Sequence, residues 1–577
     1  VDNEYLPRKY RNARANHDLR YKIVQAKLAE QLEEKHSKNW ILDGYLNNVP
    51  YGTVGNQTAY GAGAASWMFF DKPVSKLNLV QSALLAGLPQ APSEYNPFLF
   101  PRAARTRRAH VLGSMVRAGY ITQAAADRAA RARLEVKHDA PDNSHLDPYV
   151  FNYIEQQAAY DLCPKHPGNC PTLTNGGLKI KTTIDMHQQA IATESLRDHA
   201  SLFEEEGGPG VGGGLASVNA SNGHIEAIAT SGDYAQTKVN YATSAMRQTG
   251  SAFKVFALME LIHDYQGDPN TTYYDSKPLN AGWLPEDKTW SVHTDDYAYS
   301  GSINITTATY LSDNTVFAQL AADLGWTKLD KMAHAMGITS TLTGNPSEVL
   351  GGLTYGTTPL QMADAYATIA DGGIHHAPTI INKIIFPDGS VRKFGNPPGH
   401  RVFSYAESYA ADEVLKEVLI HPGATGTAAY YGCPAAGKTG TAENLANAWF
   451  VGYTPKVSTA VWVGNPKGNT AMIDGFGGIL AAPVWKQYME STDGGYCGDW
   501  TAPTEPFAGT EFTGPHSTVA PPPPSYGPPP KKKSGKGTGA GNTGTGAGNT
   551  GTGAGNTGTG AGNTGGTGTT GGASPTG

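Results

Sequence analysis

Apolar positions in the first part of the chain, residues 19–134, recur with the period of a helix. Around Ile23 and Leu32 they are interspersed with Lys, Glu and Gln, as on the half-buried face of an amphipathic helix. Ser37, a typical N-cap residue, precedes a second such series. Further helices are predicted at 77–88, 103–118 and 122–133, and Gly, Asn and Pro indicate loops at 50–57 and 89–97.

The middle of the chain, residues 178–464, mixes short alternating segments with longer helical ones. The pair Asn222-Gly223 stands between two alternating segments and signals a hairpin. Strands are predicted at 178–184, 215–218, 225–230, 448–453 and 458–464, and helices at 186–202, 306–324, 359–370 and from about 251. This order favours a domain in which helices cover an antiparallel sheet.

The C-terminal part changes character from about residue 513. Prolines at 521–524 and 528–530 are followed by lysines at 531–533 and 536, and then Gly-Thr-Gly-Ala-Gly-Asn-Thr repeats four times over 537–564. The repeat offers no apolar seam to bury, so it cannot offset the entropy of ordering. We expect a disordered, solvated tail, although its lysines could also contact an anionic polymer.

Composition narrows the class of protein only slightly. A net charge of -6 over 577 residues gives no reason to expect nucleic acid as a partner. No run of 18 or more apolar residues occurs, and no signal peptide is recognisable at Val1, which is not a Met. We therefore expect that a membrane anchor preceded this chain.

Four cysteines occur, and none forms a Cys-x-x-Cys pair, which argues against a zinc knuckle or a thioredoxin-type site. An even number fits two disulfides, with Cys163 and Cys170 closing a short loop, but four free thiols are equally compatible with the sequence. The other two are Cys433 and Cys497. No metal site or cofactor is predicted, because the pairs His375-His376 and Asp295-Asp296 are typical of solvated surface turns.

Three short motifs carry the candidate chemistry: Ser251-Ala-Phe-Lys254, Ser312-Asp-Asn314 and Lys438-Thr-Gly440. A Ser-x-x-Lys match alone is weak, since on the order of one or two arise by chance in a chain this long. All three in this order, on a helix start, a helical stretch and a strand, are much more specific. We put the chance that all are structural at about one in twenty.

The first motif supplies a nucleophile and its base. A serine hydroxyl needs a base within hydrogen-bond reach, and Lys254 lies one helical turn after Ser251. Its amine is a base only when neutral, so we expect burial among apolar neighbours, and a second cation at Lys438, to lower its pKa.

The other motifs supply the relay and the binding groups. We expect Ser312 to relay a proton to the leaving amine and Asn314 to bind a substrate carbonyl while steadying Lys254. Lys438 and the hydroxyls of Thr439 and Thr441 suit a terminal carboxylate, and Gly440 permits close approach of the ligand. The oxyanion hole is predicted from the backbone N–H groups of Ser251 and Thr441.

At these residues the chain resembles the class A penicillin-binding proteins. Matching blocks are 177–185, 247–254, 426–427, 437–441 and 448–452, with Asn447 where the family commonly has Asp. The resemblance implies a D,D-transpeptidase that cross-links peptidoglycan stem peptides between glycan strands through an acyl-enzyme. It also implies covalent inhibition by β-lactams and a location on the outer face of the bacterial cell membrane.

The N-terminal helices resemble the later part of the family's lipid II glycosyltransferase domain, through 37–38, 41–47, 60–65 and 107–112. The family's earlier motifs would lie before Val1. Its second important glutamate aligns with Gln25, and an amide cannot deprotonate an attacking hydroxyl. We therefore expect no glycosyltransferase activity from this chain.

The resemblance implies an α+β multidomain fold with four segments. These are a partial all-α, lysozyme-like glycosyltransferase lobe (1–135), a linker (136–185), a penicillin-binding/β-lactamase-like transpeptidase domain (186–500) and a disordered tail (501–577). One alternative uses the same serine in a D,D-carboxypeptidase or β-lactamase, for which no Glu-x-x-x-Asn-type loop that could activate water is recognisable. A second alternative is non-enzymatic: a β-lactam-binding sensor, or a cell-wall scaffold that uses the basic tail.

Overall fold

The computed structural model describes residues 19–522 except 55–56, 138–146, 175–176, 235, 387, 396 and 493–496. The repeat tail and the side chain of Gln25 lie outside the described residues. Among the described helices, none combines the length and the apolar character that a bilayer crossing requires.

The N-terminal lobe is built from helices and one hairpin. Ser37 accepts a hydrogen bond from Trp40 N and caps the second helix, as predicted, and Thr122 caps the last one in the same way. Of the loop predicted at 50–57, residues 50–54 and residue 57 instead belong to two paired antiparallel strands. The elements are α1 (Leu19–Lys35), α2 (Lys38–Asn48), β1 (Pro50–Val54), β2 (Gln57–Tyr60), α3 (Gly61–Phe70), α4 (Leu79–Gly87), α5 (Pro101–Arg117) and α6 (Gln123–Arg131).

The rest of the described chain forms a larger lobe of mixed helices and strands. Its first helices and strands are α7 (Pro148–Leu162), α8 (Pro171–Thr174), β3 (Lys179–Thr182), α9 (Met186–Asp198), α10 (Ala200–Leu202), β4 (Gly212–Asn219), β5 (Ile225–Thr230), α11 (Lys254–His263), β6 (Tyr273–Ser276) and β7 (Gly301–Asn304). Then follow α12 (Ile305–Leu311), α13 (Asn314–Leu324), α14 (Trp326–Met336), α15 (Pro359–Ala370), β8 (Ile374–His375), β9 (Ile381–Ile385), β10 (Val391–Lys393), β11 (His400–Arg401), α16 (Tyr405–Ile420), β12 (Ala436–Thr441), β13 (Asn447–Tyr453), β14 (Val457–Gly464), α17 (Gly477–Leu480), α18 (Ala482–Thr492) and β15 (Ser517–Thr518).

A five-stranded antiparallel sheet in the order β12-β13-β14-β4-β5 is the centre of this lobe. Alternate side chains of its strands enter two cores, so that Trp449 and Val451 pack with α11 and α15, whereas Ala448 and Phe450 pack with α9 and α18. Strands β13 and β14 are buried along their whole length because helices cover both faces. The predicted antiparallel sheet flanked by helices is confirmed.

Two segments differ from the predicted boundaries. Residues 136–185, expected to be a linker, contribute α7 and the strand β3, which pairs with β9. The C-terminal strap, defined here as residues 497–521, packs on the lobe rather than leaving it at residue 501. Its Trp500 is buried, and its strand β15 pairs with β6. Of these elements, β3 had been predicted as a strand at 178–184, whereas the strap lacks the apolar periodicity by which the sequence marks core elements.

The four cysteines form two disulfides, Cys163–Cys170 and Cys433–Cys497. The first closes the short loop after α7, one of the two possibilities that the sequence left open. The second ties the segment before β12 to the start of the C-terminal strap. Disulfides persist in oxidising surroundings.

Candidate active site

The serine turn, residues Gly250–Phe253, is a 3₁₀ turn that leads into α11. Gly250 has a φ of 54°, and a Cβ there would lie 2.1 Å from the carbonyl oxygen of Thr441, so only glycine lets the turn meet β12 this closely. Ser251 is 7% exposed. The nucleophile predicted from the sequence therefore sits in a narrow space beside a strand.

That strand, β12, lies at the edge of the central sheet. The face of β12 that packs toward α11 also meets the serine turn, because a Cβ at Gly440 would lie 2.2 Å from the carbonyl oxygen of Thr249. Gly440 thus permits contact with the turn that carries the serine, whereas the sequence had suggested contact with the ligand. Backbone groups of an edge strand that have no strand partner are available to a bound peptide.

The second motif lies where the helix predicted over 306–324 breaks in two. Ser312 ends α12 in the left-handed conformation, with φ 60°, and Asp313 caps α13 by accepting hydrogen bonds from Thr315 N and Val316 N. The Oδ2 atom of Asp313 also accepts from the hydroxyl of Ser276, at 2.5 Å. The break turns Ser312 and Asn314 toward α11, the helix that follows the serine turn.

Lys254 reaches across to both residues. Its Nζ donates to the carbonyl oxygen of Ser312 at 2.7 Å and to Asn314 Oδ1 at 2.7 Å, and it lies 3.4 Å from Ser312 Oγ. Only 1% of Lys254 is exposed. Burial lowers the pKa of its amine to about 8, against the opposing effects of Asp295 and Asp313. The amine is therefore neutral in part of the molecules near neutral pH.

Lys438 approaches Ser312 from the strand. Its Nζ donates to Ser312 Oγ at 2.8 Å and to Thr439 O at 3.2 Å. Burial lowers the pKa of Lys438, and repulsion from Lys254 lowers it further. Lys438 therefore lies beside Ser312, and one hydroxyl lies between two amines, but burial alone accounts for the lowered pKa of Lys254.

The two threonines of β12 are held by their neighbours. Thr439 Oγ1 is 2.7 Å from Thr425 Oγ1, and Thr441 Oγ1 accepts a hydrogen bond from Gly477 N at 3.2 Å. Each hydroxyl keeps some capacity for a ligand. The structure brings every residue of the three motifs into one region around the serine turn.

Sequence reasoning missed the contribution of the β6–β7 loop, residues 277–300. Asn314 Nδ2 donates to His293 O at 3.1 Å and to Asp295 Oδ1 at 3.0 Å. Asp295, expected to be merely solvated, therefore belongs to the site. It is exposed and lies in a segment without periodicity, so no local sequence signal could have identified it.

The histidine pair also differs from its prediction as a solvated turn. His375 lies in β8, and its Nε2 is 3.0 Å from Asp364 Oδ2, while His376 Nε2 is 3.3 Å from Asp371. In the part of the chain that the structure describes, no group of three or more His, Cys, Asp or Glu residues could hold a metal ion.

A serine at a helix start, two buried lysines and an edge strand are the features of a serine acyl-transferase of the penicillin-binding type. The family model "Penicillin binding protein transpeptidase domain" matches residues 213–490, and "Transglycosylase" matches residues 5–116. Among relatives, penicillin-binding protein 1A of Streptococcus pneumoniae is 31% identical, with 87% of this chain and 72% of that protein covered. Penicillin-binding protein 1A of Neisseria flavescens is 27% identical, with 81% and 70% covered.

Solved structures of penicillin-binding proteins are also similar to this chain. Penicillin-binding protein 1A from Haemophilus influenzae matches in fold with a TM-score of 0.59 at 20% identity, covering 81% of this chain and 87% of that one. PonA1 from Mycobacterium tuberculosis, at 28% identity and a TM-score of 0.54, is covered over 99% of its chain and 65% of this one. A further structure of PonA1 is a complex with penicillin V.

The chain belongs to the class A penicillin-binding proteins. It is a peptidoglycan D,D-transpeptidase, which cross-links stem peptides, and the predicted two-lobed fold is confirmed. The two family matches support an enzyme with both activities. They give no support to the loss of glycosyltransferase activity inferred from Gln25, which stays a prediction.

Proposed function

We propose that Ser251 attacks the carbonyl carbon between the two D-alanines of a stem peptide while Lys254 accepts the hydroxyl proton. The observation that carries this proposal is the buried lysine amine, with its pKa of about 8, held by Ser312 and Asn314 beside the serine turn. A base poised near the working pH transfers protons most effectively.

The tetrahedral intermediate carries its negative charge on the former carbonyl oxygen. The N–H groups of Ser251 and Thr441 are the proposed donors to it, since the backbone of Thr441 lies against Gly250, the residue before the serine. Loss of one such donor typically costs about 3 to 4 kcal/mol of transition-state stabilisation. Collapse breaks the C–N bond and leaves an ester on Ser251.

The leaving D-alanine takes a proton through Ser312, whose Oγ lies between the two amines. Lys254 replaces that proton with the one it accepted. The amine of a second stem peptide then attacks the ester, gives its proton to the same relay and regenerates the Ser251 hydroxyl. Atoms balance: one peptide bond is broken, one is formed, and D-alanine is released.

The terminal carboxylate of the donor peptide is the proposed partner of Lys438, Thr439 and Thr441. Asn314 can bind a substrate carbonyl only if that carbonyl replaces His293 O or Asp295 Oδ1, since both N–H groups of the amide are in use. Gly440 contributes by letting β12 lie against the serine turn.

A β-lactam also offers a carbonyl carbon to the serine hydroxyl, but its leaving group stays attached after the ring opens. We therefore propose that β-lactams acylate Ser251. This rests on the penicillin-binding family match and on the penicillin V complex of PonA1.

Peptidoglycan as substrate and two disulfides favour action outside the cytoplasmic membrane. We further propose a membrane anchor N-terminal to this chain.

A cross-linking assay tests the proposal. The native chain, given glycan strands with pentapeptide stems, is expected to release D-alanine and form cross-linked dimers detected by mass spectrometry. Ser251→Ala is expected to do neither. Release of D-alanine with only hydrolysed tetrapeptide would instead establish a carboxypeptidase.

A further inference from the structure

The β6–β7 loop fixes the orientation of the Asn314 amide. A side-chain amide has two N–H donors and one carbonyl acceptor. In Asn314 the donors go to His293 O and Asp295 Oδ1, at 3.1 and 3.0 Å, and the acceptor receives Lys254 Nζ at 2.7 Å. Reversing the amide would place an N–H against the lysine, so the loop determines which atom the lysine meets.

The loop is itself held in place on both sides of these contacts. His293 Nδ1 lies 2.9 Å from the hydroxyl of Tyr299, and Thr294 Oγ1 donates to Ala298 O at 2.9 Å. Trp283, earlier in the loop, packs edge-on against His516 of the C-terminal strap. Asp295 is therefore presented to Asn314 by a tethered segment.

Asp295 acts electrostatically on both buried lysines. Asp295 from the loop and Asp313 from the start of α13 both raise the pKa of Lys254, whereas the pKa of Lys438 from β12 is raised by Asp295 and lowered by Lys254. Asp313 is buried and committed to capping α13 and to Ser276. Asp295 raises the pKa of both lysines, so it is the carboxylate that both cations share.

We propose that Asp295 is a positioning residue of the transpeptidase reaction, orienting the Asn314 amide toward Lys254 and offsetting the charge of the two buried lysines. This rests on the acylation mechanism proposed above. Asp295 touches neither the serine nor the peptide bond that breaks in that mechanism, and it acts through Asn314 and the charge it places near the lysines.

The two effects are separated by different substitutions. Asp295→Asn keeps an oxygen acceptor for Asn314 but removes the charge, while Asp295→Ala removes both. Asp296→Asn is the matched control, because Asp296 is adjacent and equally charged but accepts from Ala298 N, at 2.9 Å. Asp295→Glu keeps the negative charge.

The measurement is the second-order rate of acylation by a fluorescent penicillin from pH 6 to pH 10. Since the neutral lysine is the base, the rate rises with pH, and removing a nearby negative charge lowers the pKa of Lys254. Asp295→Asn is therefore expected to move the midpoint of the rise to lower pH, and Asp296→Asn to leave it in place. Asp295→Ala is expected to show the same shift of the midpoint and, through misorientation, a rate about tenfold lower at high pH, where Lys254 is neutral in every variant. Asp295→Glu is expected to approach the native rate and midpoint.

An unmoved midpoint in Asp295→Asn, or an equal shift in Asp296→Asn, would overturn the proposal. Ser251→Ala, measured in parallel, keeps this outcome separate from a failure of the proposed mechanism. Labelling that survives Ser251→Ala contradicts the mechanism, whereas labelling that depends on Ser251 with an unmoved midpoint contradicts only the role of Asp295.

Discussion

Two buried amines share the hydroxyl of Ser312 close to the serine turn, and their mutual repulsion is part of the chemistry. Lys254 and Lys438 are each 1% exposed, so neither charge is well solvated. Burial lowers the pKa of both, and the charge of Lys254 lowers that of Lys438 further. The site thus keeps a neutral amine available at a pH where a solvated lysine would be fully protonated.

Acylation is predicted to rise with pH with a midpoint near the Lys254 pKa of about 8. Lys254→Met, which keeps the side chain's length but has no base, is expected to lose about 10²-fold or more in the rate of penicillin acylation. Lys277→Met is the control, because Lys277 is half exposed and pairs with Asp275 outside the site. A native rate in Lys254→Met would place the base elsewhere.

At the scale of elements, the site depends on contact between the serine turn and the edge of the sheet. Gly250 and Gly440 remove the two side chains that would otherwise separate them. The motifs predicted this meeting because their residue types have complementary roles. The strands predicted at 215–218, 225–230, 448–453 and 458–464 and the helix at 359–370 agree with the structure within a few residues, whereas α14, α16 and α18 were not predicted.

Other features of the elements could not be predicted. Apolar positions continue on both sides of the polar run 312–315, so a single helix was predicted over 306–324, and the left-handed backbone of Ser312 reveals the break between α12 and α13. The contact of Asp295 with Asn314 joins residues 19 positions apart through an irregular loop. Such contacts follow from tertiary packing and leave no local pattern.

Gly440→Ala is predicted to separate β12 from the serine turn, because its Cβ would lie 2.2 Å from Thr249 O. Penicillin acylation is expected to fall by about 10²-fold, since small misplacements of reacting groups are that costly. The control is Gly113→Ala in α5, where the nearest atom to the added Cβ is 3.6 Å away. Native acylation by Gly440→Ala, with both variants folded by circular dichroism, would contradict this account.

At the scale of the whole molecule, the C-terminal strap supports β6 and the β6–β7 loop beside the active site. His516 N donates to Asp323 Oδ2 at 3.0 Å, and Asp323 is also bonded by the hydroxyl of Tyr274 in β6. The strand β15 then pairs with β6, the strand that leads into the β6–β7 loop. The strap is joined to the segment before β12 by Cys433–Cys497.

The two disulfides are predicted to differ in their contribution to stability. Cys433 and Cys497 are 64 residues apart, and chain entropy gives about 4 kcal/mol for a loop of that length. Cys163 and Cys170 are 7 apart, which gives about 2 kcal/mol. Paired Cys→Ser variants of each bridge, compared by urea unfolding, are expected to lose stability in that order, and the reverse order would show that the long bridge does not constrain the unfolded chain.

The proposed mechanism requires that Ser251 is the residue that becomes acylated. Native protein treated with penicillin and then digested is predicted to carry a single adduct, found by mass spectrometry on the peptide that contains Ser251 and absent from Ser251→Ala. An adduct on another residue, or one that persists in Ser251→Ala, would contradict the mechanism.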